Sequence, residues 1–357
     1  RLNEAEKVVA PILEAVRRGG DAALLKYARK LDGLPARTRS VVIPAAELQA
    51  GYTSLPAPFR RALKQAAGNV RDFARMQLPK PGTARLAGGR KLGQIVRPLD
   101  AMAAYVPSGR YPLPSTVLMA VVPAQVAGVP NTFVASPRPS VEILGTAAHL
   151  KVSGVFRMGG AQAIAAFAFG TETVPKVDRI VGPGNIYVAA AKKLLAGEVG
   201  IDFVAGPTEI LIVAADGNPR VLAADMLAQA EHDVDAAALL VTTSKRLASA
   251  VAAEVERQLG DLPTAPTARE AINRNSAVIL AASLDQAMEL ANAFAPEHLS
   301  IPSALLLNKV KTAGSVFIGP FSPEAAGDYA SGPNHILPTS GAARLRGGLS
   351  AADFVKV

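Results

Sequence analysis

From about residue 100 the chain alternates short apolar runs with stretches of helical periodicity, and this alternation constrains the fold more than any other feature. Residues 101–106, 132–135, 154–158, 179–181, 209–214, 237–242, 277–280 and 315–318 read as strands. Between them, residues 115–127, 141–150, 161–169, 185–195, 219–231, 247–259 and 284–294 read as helices. Strands joined through helices must lie parallel and be covered on both faces, so the expected class is α/β with doubly wound parallel sheets. A chain of 357 residues exceeds what one core usually organises. A composition shift near residues 201–207 separates two such units. The expected organisation is a helical N-terminal segment over 1–100, a first parallel-sheet domain over 101–205, a second over 206–340, and the start of a C-terminal tail at 341–357. Within the N-terminal segment, helices are predicted over 4–18, 20–31 and 47–76, the last broken near Pro56 and Pro58.

Composition removes several functions. The chain has no cysteine, which excludes disulfides, thiolate nucleophiles and cysteine-ligated metals, so a metal site must draw on His, Asp, Glu or neutral oxygen ligands. The net charge of +9 comes from scattered residues, and aromatics are only 5%, so the sequence lacks the basic, stacking surface of a nucleic-acid binder. An uncharged run over 111–137 is long enough to span a bilayer, yet Pro112, Pro114, Pro123 and Pro130 interrupt it. It reads as a buried helix followed by a strand. The charged first residues lack a signal-peptide core, and the expected location is cytoplasmic.

Chemistry concentrates at a few places. The dinucleotide fingerprint G-x-G-x-x-G is absent. In its place Gly182-Pro183-Gly184-Asn185 lies between a strand and a helix, where free amides would meet a phosphate or where Asn185 would simply cap the helix. The turn Pro107-Ser108-Gly109-Arg110 after Tyr105 has the same two readings, with Arg110 able to face an anion. Four histidines occur. His149 sits among small apolar residues and reads as a packing residue. Gln229 and His232 are three apart at the end of a predicted helix, a spacing that puts both side chains on one face as a metal pair or as a solvated helix end. Glu297-His298 follows Pro296 in a predicted turn and offers two proton-transfer groups side by side. Residues 327–335 form a glycine-rich loop carrying Asp328 and His335.

Taken in order, these segments resemble the L-histidinol dehydrogenase family over nearly the whole chain. The matching stretches are Tyr105-Val106-Pro107, residues 114–119, Gly159-Gly160-Ala161-Gln162, Gly182-Pro183-Gly184-Asn185, residues 205–209, Gln229-Ala230-Glu231-His232-Asp233, Ala295-Pro296-Glu297-His298-Leu299 and residues 327–339. The resemblance implies two incomplete Rossmann-like domains and a homodimer of intertwined subunits. It implies a zinc-dependent enzyme of histidine biosynthesis that oxidises L-histidinol through an aldehyde to L-histidine, reducing NAD twice. Carried over by position, Gln229, His232 and Asp328 match zinc ligands, and Glu297 and His298 match the acid–base pair. Tyr105, Gln162 and Asn185 match NAD-contacting positions in the first domain. Thr208, Gln229, His232, His298, Asp328 and His335 fall at substrate positions. Thr208 stands where Ser is common, and Ser108 and Pro333 stand where Gly and Thr are. Family chains also run on past the point matching Val357, where a partner subunit's site receives a further histidine ligand and a glutamate. These departures keep two alternatives open: a related NAD-dependent dehydrogenase of another small alcohol, and a non-catalytic zinc- or nucleotide-binding relative.

Overall fold

The computed structural model describes residues 2–108, 112–204 and 206–357. Two compact units emerge: Arg1–Val204 with Ala330–Ile336 and Leu349–Val357, and Ala205–Tyr329 with Leu337–Gly348.

The first unit opens with helices α1 (Leu2–Tyr27), α2 (Ala45–Ser54) and α3 (Ala57–Met76), followed by an exposed antiparallel hairpin of β1 (Gly82–Arg85) and β2 (Lys91–Gln94) and the short β3 (Arg97–Pro98). Then come β4 (Ala101–Tyr105), α4 (Pro114–Ala127), β5 (Asn131–Ala135), α5 (Val141–His149), β6 (Gly154–Phe156), α6 (Gly160–Phe169), β7 (Arg179–Val181), α7 (Ile186–Leu195) and β8 (Gly200–Ile201). The five strands from β4 to β8 form a parallel sheet in the order β6-β5-β4-β7-β8. One face packs on α1, α6 and α7 through Val9, Leu13, Ile164, Phe167 and Val188, and the other on α3, α4 and α5 through Leu63, Val70, Met119 and Ile143. The uncharged run resolves into α4 and β5. α4 starts at Pro114, where a missing N–H costs nothing, and ends against Gly128 in the left-handed region. It is 14 residues long and buried around its circumference, and no helix among the described residues is long and apolar enough to cross a membrane.

The second unit repeats the plan with β9 (Glu209–Ala214), α8 (Pro219–Ala230), β10 (Ala237–Thr242), α9 (Lys245–Leu259), α10 (Ala265–Asn275), β11 (Ala277–Leu280), α11 (Leu284–Phe294), β12 (His298–Ile301), β13 (Ser315–Ile318) and the short α12 (Glu324–Tyr329). Its parallel sheet runs β11-β10-β9-β12-β13. In both sheets the first strand is central, the next two step outward on one side, and the last two fill the other. The chain reverses direction beside the first strand, between β4 and β7 in one unit and between β9 and β12 in the other, where open α/β sheets leave a crevice. Finally β14 (Val355–Lys356) returns to the first unit and pairs antiparallel with β3. The expected α/β class with two parallel sheets and an N-terminal helical segment therefore holds, and the hairpin, α10, β8 and β12 add to the elements expected from the sequence.

Candidate active site

In the first unit the crevice lies at the carboxyl ends of β4 and β7. Tyr105 ends β4, and its hydroxyl accepts a hydrogen bond from the Gly160 N–H at 3.2 Å. Burial raises the Tyr105 pKa, as does the nearby Asp32 charge. Gln162, fully buried in the first turns of α6, donates through Nε2 to Asp32 Oδ2 at 3.0 Å, and the same oxygen accepts the Gly159 N–H at 2.9 Å. Asn185 caps α7, accepting from the N–H groups of Tyr187 and Val188 at 3.1 Å each. Gly182 has φ +112°, and a Cβ there would lie 2.2 Å from the Tyr105 carbonyl oxygen, so only glycine lets this turn close against β4. Gly109 and Arg110 of the other turn lie outside the described residues, whereas Ser108 hydrogen-bonds the Arg138 carbonyl at 3.2 Å. His335 is half-buried on the segment that returns to this unit, 3.5 Å from Thr116 Oγ1. His149 ends α5 stacked on Tyr52 with ring centroids 5.8 Å apart, and burial lowers its pKa, consistent with packing.

The polar centre of the second unit lies at the opposite, amino-terminal edge of its sheet. Ala295, left-handed at φ +58°, stops α11, and Glu297 then precedes β12, which begins at His298. The pair thus stands at the mouth of a central strand and not in a free turn. Glu297 Oε2 accepts the Thr208 hydroxyl at 2.6 Å and the Glu209 N–H at 3.0 Å, and Thr208 in turn accepts from Gln229 Nε2 at 2.5 Å. His298, 2% exposed, has Nδ1 3.2 Å from the Glu209 carbonyl, 3.6 Å from Glu297 and 3.5 Å from Glu324, while Nε2 is 3.4 Å from Asp328 Oδ1. Gly327 makes this approach possible, because a Cβ there would enter the Phe317 ring at 2.5 Å.

So many acidic groups in little water reshape the proton affinities. Burial by itself lowers the His298 pKa, but the charges of Glu297, Asp328 and Glu324 outweigh it and carry the value up to about 10. Burial raises Glu297, against the charge of His298 and the hydrogen bonds of Thr208 and Glu209. Burial, only partly offset by the His298 charge, takes Glu324 to about 8, and burial with the Glu297 charge takes Glu209 to about 7. Ligand atoms of His298, Glu324 and Asp328 lie within 4.8 Å of one another, and Gln229 Oε1 and Glu324 Oε2 are buried without hydrogen-bond partners. Such a set of nitrogen and oxygen atoms suits a divalent cation of the zinc type.

Of the residues singled out in the sequence, this centre brings together Thr208, Gln229, Glu297, His298 and Asp328. α8 ends at Ala230, and His232 lies exposed in the turn beyond Glu231, its N–H donating to the Gln229 carbonyl at 3.3 Å. Three further residues complete the two sites. Glu324 precedes Asp328 by four, a helical spacing that puts both carboxylates on one face of α12 and was available in the sequence. Glu209 opens an otherwise apolar strand and is an anomaly there. Asp32 carries no sequence signal.

Asp225, on α8, lines a cleft of about 410 Å³ with Asn218, Ser300 and Phe321. Burial takes its carboxyl up to about 6. A carboxyl raised on folding contributes stability at low pH that is lost as pH rises through the folded value. Asp225→Asn is therefore expected to stabilise the protein above about pH 6, by about 1–2 kcal/mol after allowance for solvent screening, with the gain shrinking towards pH 4. Urea unfolding across this range checks the sign; a gain confined to low pH would contradict it.

Comparison with known proteins agrees with this architecture. A family model described as histidinol dehydrogenase matches residues 1–357. The chain is 49% identical to a histidinol dehydrogenase of Thermus thermophilus, covering 99% of this chain and 85% of that protein. It is 44% identical to one of Methanothermobacter thermautotrophicus, covering 98% and 83%. The crystal structure of histidinol dehydrogenase from Elizabethkingia anophelis superposes with a TM-score of 0.94 at 37% identity, covering 98% of this chain and 82% of that one. Fold and matches together define an oxidoreductase of the α/β class. Within it, the chain belongs to the histidinol dehydrogenase family.

Proposed function

We propose that the protein is a zinc-dependent histidinol dehydrogenase of histidine biosynthesis, oxidising L-histidinol through histidinaldehyde to L-histidine with NAD. The observation that carries this reading is the buried His298, within 3.6 Å of Glu297 and Glu324 and 3.4 Å from Asp328. His298 takes the proton of the alcohol O–H as hydride leaves the carbon that bears that oxygen. Glu297, held by Thr208 and the Glu209 N–H, then takes a proton from water as it adds to the aldehyde, giving a hydrate from which the second hydride departs. Accepting hydride is the chemistry NAD supplies when bound. When bound, zinc would be held by Gln229 and Asp328 together with His232 of the exposed turn after α8, and would supply a positive charge that orients the substrate's imidazole and amine and offsets the carboxylate field on His298. The partnerless Gln229 Oε1 supports that assignment, because the Nε2 of this amide is already committed to Thr208. Thr208, Gln229, His232, His298, Asp328 and His335 contact substrate. We further read the working form as a cytoplasmic homodimer.

NAD belongs with Tyr105, Gln162 and Asn185, which come from three separate elements that β-α-β topology gathers at one sheet edge. Alanine at each is expected to raise the KM for NAD by about tenfold, with a smaller change for the alcohol. Unchanged NAD dependence in all three would remove the assignment.

A further inference from the structure

Beneath the turn Gly182-Pro183-Gly184-Asn185 lies an ion pair that the reaction does not use. Lys192 on α7 and Asp202 after β8 meet at 2.7 Å, with side chains 3% and 1% exposed. Lys192 Nζ also donates to the Gly182 carbonyl at 2.6 Å, and Asp202 Oδ2 accepts the Gly182 N–H at 2.7 Å. The remaining carboxylate oxygen accepts the Phe203 N–H at 2.7 Å as well. Both backbone polar atoms of one glycine are thus gripped by a buried charge pair. Burying two charges costs several kcal/mol, and an apolar pair of similar volume often stabilises a fold as well or better. An apolar pair, however, cannot hold Gly182.

We propose that Lys192 and Asp202 are positioning residues for the nucleotide: by fixing the Gly182 N–H and carbonyl they set the 182–185 turn against Tyr105 and aim Asn185 and the start of α7 at NAD. The turn has no slack, since Gly182 already packs against the Tyr105 carbonyl. A small rotation of the glycine peptide therefore moves both sides of the crevice. The proposal rests on the reading that this crevice receives NAD, and its test separates the two.

The test is the double variant Lys192→Met/Asp202→Leu, compared with Asn185→Ala and with the unaltered enzyme. Thermal unfolding reports the fold, NADH titration followed by fluorescence gives a direct Kd, and kcat is measured at saturating NAD. An ion pair that only stabilises the fold would be fully replaced by the apolar pair, with normal NADH affinity. A positioning pair leaves the unfolding midpoint near its original value but weakens NADH binding by about tenfold or more, with a larger change in Kd than in kcat. Asp202→Asn, which turns a donor towards the Gly182 N–H, is expected to weaken NADH binding in the same way and carries the comparison if the double variant does not fold. Unchanged NADH affinity in these variants, with Asn185→Ala weakened, overturns the proposal and leaves the nucleotide reading standing. Unchanged affinity in all of them overturns both.

Discussion

His298→Ala is expected to lower kcat for both oxidation steps by about 10²–10⁴-fold, the range over which a positioned general acid–base acts. The ring touches Glu297, Glu324 and Asp328, and no other imidazole belongs to this cluster among the described residues. Glu297→Gln should divide the steps. It keeps an oxygen for the Thr208 hydroxyl and the Glu209 N–H but cannot take a proton from water, so aldehyde oxidation falls far more than alcohol oxidation. Rates measured separately from L-histidinol and from histidinaldehyde decide the matter. Equal losses in both steps for both variants would contradict the division of labour.

The second large effect concerns the metal. Asp328→Asn is expected to reduce bound zinc from stoichiometric to a small fraction and to lower activity by about a hundredfold or more. Gln229→Leu should follow it in metal content, because the partnerless Oε1 is lost. Glu324→Gln should instead retain most of its zinc while slowing turnover, since Glu324 Oε1 approaches His298 Nδ1, the side of the ring turned away from Asp328. Metal analysis by mass spectrometry on the three variants gives the comparison. Zinc lost from Glu324→Gln but kept in Asp328→Asn would reassign the ligands.

The parallel-sheet architecture could be read from sequence because β4, β9 and β10 are largely apolar runs separated by longer segments of helical length and composition. β12 escaped because its four residues begin with histidine and follow a proline, which reads locally as a turn; its pairing with β9 and β13, not propensity, makes it a strand. Glu297, His298 and Asp328 were visible as chemistry-bearing residues, but their convergence was not, since 30 positions separate His298 from Asp328 and a strand, a loop and α12 bring them together. His232 lies two residues past the end of α8, where helical periodicity no longer fixes its side chain relative to Gln229. Asp32 and the Lys192–Asp202 pair act through contacts between distant elements or beneath a turn, for which no local pattern exists.

The most direct test of the account follows NADH formation from L-histidinol by the protein expressed from its full-length gene, with the product analysed by chromatography. Two NADH are expected for each L-histidine formed, with loss of the reaction after treatment with a chelator and its return on adding zinc. No NADH from L-histidinol, or a rate indifferent to chelation and zinc, would contradict it.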